Sequence, residues 1–288
     1  MKVLVTGAGG QVGRMLRETC PQGIELKACT HAELDIGDAE AVRRMFEHER
    51  PAAVINAAAY TAVDKAESEP DMARRINSEG PAHLAARAAA CGARLVHIST
   101  DFVFDGTVSS PYRPEAHPNP LGVYGATKLQ GERAVLEALP ERSVIVRTAW
   151  VYAAEGKNFV HTMLRLMRER GAVRVVADQV GTPTAARPLA EVLWQIVARP
   201  EIQSVHHWTD AGVASWYDFA VAIAEEGAAL GVLPSGVTVT PIATEEYPTP
   251  ARRPAYSVLD KRSLAALGFH PAHWRHRLRD TLKDIAHG

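Results

Sequence analysis

Lys2-Val3-Leu4-Val5-Thr6-Gly7-Ala8-Gly9-Gly10-Gln11-Val12-Gly13 opens the chain, and its reading decides the fold. Lys2 to Thr6 reads as a short apolar strand. Residues 10–18 read as the helix that follows a glycine turn. Gly7 permits a tight turn out of the strand, Gly10 lets the backbone approach a pyrophosphate, and Gly13 lets the helix pack close to the sheet. The helix N-terminus presents free N–H groups and the positive end of its dipole to such a ligand. A glycine-rich loop alone is common; one set between a first strand and a helix points to a dinucleotide.

Strands are predicted near 2–6, 24–29, 53–56, 94–99 and 143–148, with helices near 10–18, 38–48, 71–90 and 119–139. That alternation is the pattern of βαβ units. Right-handed crossovers then put helices on both faces of a parallel sheet. The predicted class is α/β, a Rossmann-type doubly wound parallel sheet over residues 1–150. Beyond 150 the pattern loosens. Helices are predicted near 158–170, 184–198, 215–229 and 272–285, with Ser215 as an N-cap, and strands near 173–177, 204–208 and 237–242. Residues 151–288 are expected to form a smaller α/β substrate lobe interleaved with the first. Segments near 172–208 are expected to complete the sheet, with a cleft between the two parts.

Composition removes several classes of function. With 288 residues and 47% hydrophobic content, the chain can bury a full core. A formal net charge of −1 favours neither nucleic acid nor an anionic membrane as partner. No apolar run approaches the ~20 residues that span a bilayer. Cys20, Cys29 and Cys91 are odd in number and scattered, which fits a reducing cytoplasm. No metal is expected, because the histidines at 206, 207, 270, 273 and 276 lack a Cys, Asp or Glu in register with them.

The chemistry gathers where strands end. Ala53-Val54-Ile55-Asn56 runs into Ala57, Ala58 and Ala59, whose small side chains leave room for a flat ligand. Arg94 to Ser99 runs into Thr100 and Asp101, a hydroxyl and a carboxylate. Tyr124 and Lys128 then stand four apart on a helix and share a face. An ammonium beside a phenol favours the phenolate, so Lys128 is expected to lower a tyrosine pKa that starts at about 10. A tyrosine so tuned exchanges a proton with a substrate oxygen. Thr100 reads as the third catalytic group, bonding a substrate carbonyl.

These stretches resemble the extended short-chain dehydrogenase/reductases, and within them the dTDP-4-dehydrorhamnose reductases. The resemblance also takes in 61–67, 102–106, 147–152, 178–184 and 247–254. It implies reduction of the C4 ketone of dTDP-4-dehydro-L-rhamnose by a nicotinamide cofactor. By position, Gly10, Gln11 and Val12 would meet the pyrophosphate, and Asp35 and Ile36 would flank the adenine. Ala57, Ala58 and Ala59 would line the cofactor cleft, and Thr100, Tyr124 and Lys128 would be catalytic. Thr100, Asp101 and Trp150 would touch the sugar nucleotide. The strand ending at Ala28-Cys29-Thr30-His31 carries no carboxylate for a ribose hydroxyl, so NADPH is expected, with NADH tolerated. Arg252 and Arg253, in a proline-stiffened loop, are the candidates for the dTDP diphosphate.

One departure from the family concerns assembly. Relatives often carry a metal-binding glutamate where this chain has Met15, no ligand for a hard cation. A monomer or a metal-independent homodimer is expected. Two other functions share this fold. A sugar-nucleotide dehydratase or epimerase is one; the dehydratases typically carry Asp-Glu after the threonine, where this chain has Asp101-Phe102. A non-catalytic subunit, resembling the one that regulates a methionine adenosyltransferase, is the other.

Overall fold

The computed structural model describes residues 1–287. The first half alternates regularly: β1 (Lys2–Thr6), α1 (Gln11–Glu18), β2 (Glu25–Cys29), α2 (Ala39–Glu49) and β3 (Ala53–Asn56). After α3 (Val63–Ala66), α4 (Pro70–Arg74) and α5 (Gly80–Cys91) come β4 (Arg94–Thr100), α6 (Val123–Ala138) and β5 (Ser143–Thr148). The second half holds β6 (Val151–Tyr152), α7 (Phe159–Arg170), β7 (Ala172–Val176), β8 (Val180–Gly181), β9 (Thr184–Ala185) and α8 (Ala186–Val197). It ends with β10 (Ser204–His207), β11 (Ala214–Ser215), α9 (Trp216–Ala229), β12 (Thr238–Ile242), α10 (Arg262–Ala265) and α11 (Trp274–His287).

The central sheet is six-stranded and parallel, in the order β10-β5-β4-β3-β1-β2. Alternate strand residues feed two cores. Val3, Val5, Ile55, Val96 and Val144 pack under α1 and α8, whose Leu189, Leu193 and Trp194 fill that face. Leu4, Val54, Leu95 and Ile145 pack under α2 and α5 on the other. Thus α8, from beyond residue 150, roofs a sheet built largely from the first half. Of the span 172–208, only 204–207 joins that sheet. Residues 172–176 pair instead with β12, a correction to the expected completion. A third core, with Phe219, Ile223, Leu164 and Leu278, binds α7, α9 and α11 over that small sheet.

Two helix boundaries depart from the prediction for local reasons. The helix expected over 119–139 begins only at Val123, after Pro118 and Pro120, and its first N–H donates to the Glu67 carboxylate at 2.9 Å. The helix expected over 71–90 is interrupted by a π turn at Arg75–Glu79. Pro81 has no N–H to give the Asn77 carbonyl, so the α ladder opens there. Gly131 of α6 packs onto that carbonyl, where a Cβ would come within 2.1 Å. Ser215 does cap α9, in a reciprocal box with Asp218.

A buried ion pair joins α6 to β5. Arg147 Nη2 and Nε reach the Glu132 carboxylate at 2.6 and 2.9 Å, and both side chains are buried. Replacing Arg147 by Met strands Glu132 in the core. We expect a loss of about 3–5 kcal/mol, read as a lower denaturant midpoint with unchanged slope.

Candidate active site

Strand order turns at β1, with β2 on one side and β3 on the other, which opens a crevice at the carboxyl ends of the strands. A cleft of about 920 Å³ fills it, lined by Gly7, Gly9, Gly10, Gln11, Val12 and Ala57 to Ala59. Gly7 has φ +72°, and a Cβ there would lie 2.5 Å from the Ala58 nitrogen. A Cβ at Gly13 would lie 2.2 Å from the Gly7 oxygen. Gly10 caps α1 without a side-chain bond, and no acid sits in the first turn. The free N–H groups and the dipole therefore face the cleft uncompensated. A dinucleotide pyrophosphate fits that cradle. The Gln11 side chain turns aside, accepting from Asn158 at 2.8 Å, which leaves its backbone N–H for the ligand.

Asp35 differs from its two neighbours. Leu34 and Ile36 line the cleft, while the Asp35 carboxylate accepts from the Gly37 N–H at 2.9 Å and pairs with Arg75. Asp35 itself is not among the residues lining the cleft. Met15 is buried against Leu16 in the sheet core, so its side chain serves packing.

Across the cleft, Gly125 brings α6 against the turn after β4; a Cβ there would lie 2.1 Å from the Phe102 oxygen. This approach puts Tyr124 beside Thr100 and Asp101 on the cleft wall. Thr100 Oγ1 donates to Asp101 Oδ1 at 3.1 Å and accepts from the Phe102 N–H at 3.2 Å. Burial raises the Asp101 carboxyl to about 6, and its Oδ2 has no partner among the described residues. Burial also raises the Tyr124 phenol to about 12, with the Thr100 hydroxyl opposing. Lys128 moves the other way. Burial lowers it to about 8, with Glu132 opposing. Its Nζ donates to the Ile98 carbonyl at 2.7 Å and lies 3.5 Å from His97 Nε2. The expected lowering of the Tyr124 pKa by Lys128 is thus corrected: in the free protein, desolvation of the phenol outweighs any pull from the ammonium.

Trp150 lies at the same cleft, with φ +47°. That conformation strains a large side chain by about 1–3 kcal/mol. Its indole stacks on Trp216 with centroids 3.5 Å apart and planes 7° from parallel. Gly181 makes room for it, since a Cβ there would come 2.7 Å from the indole. Of the two candidate arginines, Arg252 is exposed and is not part of the cleft lining, whereas Arg253 lines the cleft. Arg253 Nη2 meets Asp64 Oδ2 at 2.9 Å. A second groove of about 840 Å³ continues from Trp216 and Arg253, past Arg174, Gln179 and Tyr247.

Residues 1–287 match the model of the RmlD substrate binding domain. The chain belongs to that family. It is 42% identical over 284 residues to the spore coat polysaccharide biosynthesis protein SpsK of Bacillus subtilis, covering 98% of this chain and 97% of that one. It is 43% identical over 296 residues to the dTDP-4-dehydrorhamnose reductase of Burkholderia thailandensis, covering 99% of both. Among solved structures, the dTDP-4-dehydrorhamnose reductase of Bacillus anthracis in complex with NADP superposes with a TM-score of 0.92 at 35% identity, over 98% of this chain and 99% of that one.

Within this RmlD-type chain, sequence reasoning missed Trp216, Asn77 and, in the second groove, Arg174. Trp216 follows the recognisable cap Ser215, but nothing local says that it meets Trp150. Asn77 clamps the cofactor loop by accepting from the Tyr60 N–H at 2.8 Å and donating to its carbonyl at 3.0 Å. A carboxylate also returns to the end of β2, since Glu33 accepts from the Thr30 N–H and hydroxyl, both at 2.8 Å. Gly13→Val tests the cradle. The branched side chain must displace the Gly7 turn, and NADPH binding, followed by fluorescence, should weaken by at least about tenfold.

Proposed function

We propose that this chain reduces the C4 ketone of dTDP-4-dehydro-L-rhamnose to the hydroxyl of dTDP-L-rhamnose, using NADPH and tolerating NADH. The observation that carries this reading is the convergence of Thr100, Tyr124 and Lys128 on a cleft that begins at a glycine turn, in a chain similar over its whole length to reductases of that name. When bound, the nicotinamide supplies hydride to C4. Tyr124, whose phenol stays protonated at neutral pH, donates its proton to O4. Thr100 turns its O–H from Asp101 to the same oxygen and orients the carbonyl. Lys128 offers positive charge to the oxygen left on Tyr124 and holds the nicotinamide ribose. The free Oδ2 of Asp101 accepts from a sugar hydroxyl, and Trp150 with Trp216 walls the sugar.

The second groove suits the nucleotide end, with Arg253 at the junction for the diphosphate. A dehydratase reading lacks its second acid: Phe102 lies edge-on to Tyr124, with centroids 5.6 Å apart. With Met15 buried, we read the chain as a monomer or a metal-independent homodimer. No helix among the described residues is long and apolar enough to cross a membrane, and we place the reaction in the cytoplasm.

NADPH consumption with the ketosugar, followed at the nicotinamide absorbance band, is the direct test. No consumption sinks the reading and favours a regulatory subunit; conversion of dTDP-glucose to a 4-keto-6-deoxy product favours the dehydratase. Tyr124→Phe should lower kcat by ~10²–10⁴ with little change in cofactor affinity. Arg253→Ala should raise the sugar-nucleotide KM more than it lowers kcat, because the diphosphate is bound alike in ground and transition states. Arg252→Ala should change neither.

A further inference from the structure

Four buried polar side chains form a file from β1 through β3 and β4 to α6. Thr6 and Asn56 are register partners, as are Asn56 and His97, so these side chains share a face of the sheet. Thr6 Oγ1 donates to Asn56 Oδ1 at 2.6 Å, and Asn56 Nδ2 lies 3.0 Å from His97 Nδ1. His97 Nε2 lies 3.5 Å from Lys128 Nζ, and all four residues are buried. The reaction as described uses neither Asn56 nor His97.

One backbone N–H determines where the protons sit. The Ala58 N–H reaches Asn56 Oδ1 at 3.1 Å. It can only donate, so that end of the amide is the oxygen and the other end is the NH₂. The NH₂ faces His97 Nδ1, which must accept. A neutral imidazole accepting at Nδ1 carries its proton on Nε2. That N–H points at Lys128 Nζ. An ammonium has donors only and meets it donor to donor; a free amine meets it with a lone pair. In either state Lys128 keeps a donor for the Ile98 carbonyl.

We propose that His97, fixed by Asn56 with its proton on Nε2, is a positioning residue that lowers the proton affinity of Lys128. It thereby sets the pH above which Lys128 stops offering charge to the Tyr124 oxygen. Its catalytic meaning rests on the function proposed above; the protonation itself belongs to the free chain. Burial works in the same direction, bringing Lys128 to about 8. Several other charged groups on α6 and on elements packed against it turn to partners of their own. Glu132 meets Arg147, Asp64 meets Arg253, Arg74 meets Asp71 and Glu79, Arg75 meets Asp35, and His83 meets the Ile36 carbonyl. Glu67 accepts from the Val123 N–H, while Tyr124 and Asp101 face the cleft.

The test is an NMR titration of the Lys128 ε-carbon in protein carrying ¹³C-lysine, the signal assigned by its loss in Lys128→Met. His97→Asn keeps an acceptor for the Asn56 NH₂ and leaves no N–H facing Nζ. Asn56→Asp accepts from Nδ1–H, which turns Nε2 into an acceptor for the ammonium. In both variants the Lys128 midpoint should rise by about one pH unit or more. The alkaline limb of kcat/KM should move up with it. A purely structural role would lower turnover alike at all pH values. An unmoved midpoint in the folded variants overturns the proposal, whatever the turnover. Should His97→Asn fail to fold, Asn56→Asp carries the same test. A midpoint that rises in a protein that never consumes NADPH upholds the protonation and overturns the function proposed above.

Discussion

The site depends on how closely three pieces of backbone meet at the end of β1. Gly7 touches the Ala57–Ala58 peptide, and Gly13 touches the Gly7 carbonyl. No side chain fits at either place without moving β3 or α1. From this contact follow the exit angle of α1, the aim of its free N–H groups, and the position of the alanine floor beside them. The Thr6–Asn56 hydrogen bond ties the same strands just beneath. The cofactor cradle is therefore backbone against backbone, with geometry set by the absence of side chains.

Across the cleft the constraint is burial. Desolvation raises Tyr124 and lowers Lys128, and both shifts disfavour charge. The uncharged phenol is the form that a ketone reduction needs, since it must give a proton away. Asp101 moves the same way, toward a carboxyl that can share a proton with Thr100. Arg253, on the cleft wall, is paired with Asp64.

What the sequence disclosed was what neighbouring residues decide together. The glycine turn, the strand ends at Asn56 and Thr100, and the Tyr124–Lys128 spacing are all local, and each carries its own periodicity or punctuation. Trp216 lies 66 positions beyond Trp150, and no local spacing marks their stack. The pairing of β7 with β12 is of the same kind, set by tertiary burial between distant segments. Asp35 came from the resemblance alone, and no local spacing marks its pairing with Arg75, 40 positions further on. The sign of the Tyr124 shift was hidden for a related reason, since helix spacing gives proximity but says nothing of how much water remains.

The π turn at Arg75–Glu79 acts as a phase adjuster between two jobs on one helical rod. Before and within it, Ala73, Ile76 and Asn77 are buried, with Asn77 turned to the Tyr60 loop; after it, Leu84, Ala85 and Ala88 face the sheet. A π turn holds an extra residue, and each residue of an α-helix advances the azimuth by ~100°. Without that extra residue, a regular helix could align its apolar stripe with the sheet or its asparagine with the cofactor loop, but not both. The missing N–H of Pro81 thus lets one continuous rod present two faces that an ideal helix would leave out of step.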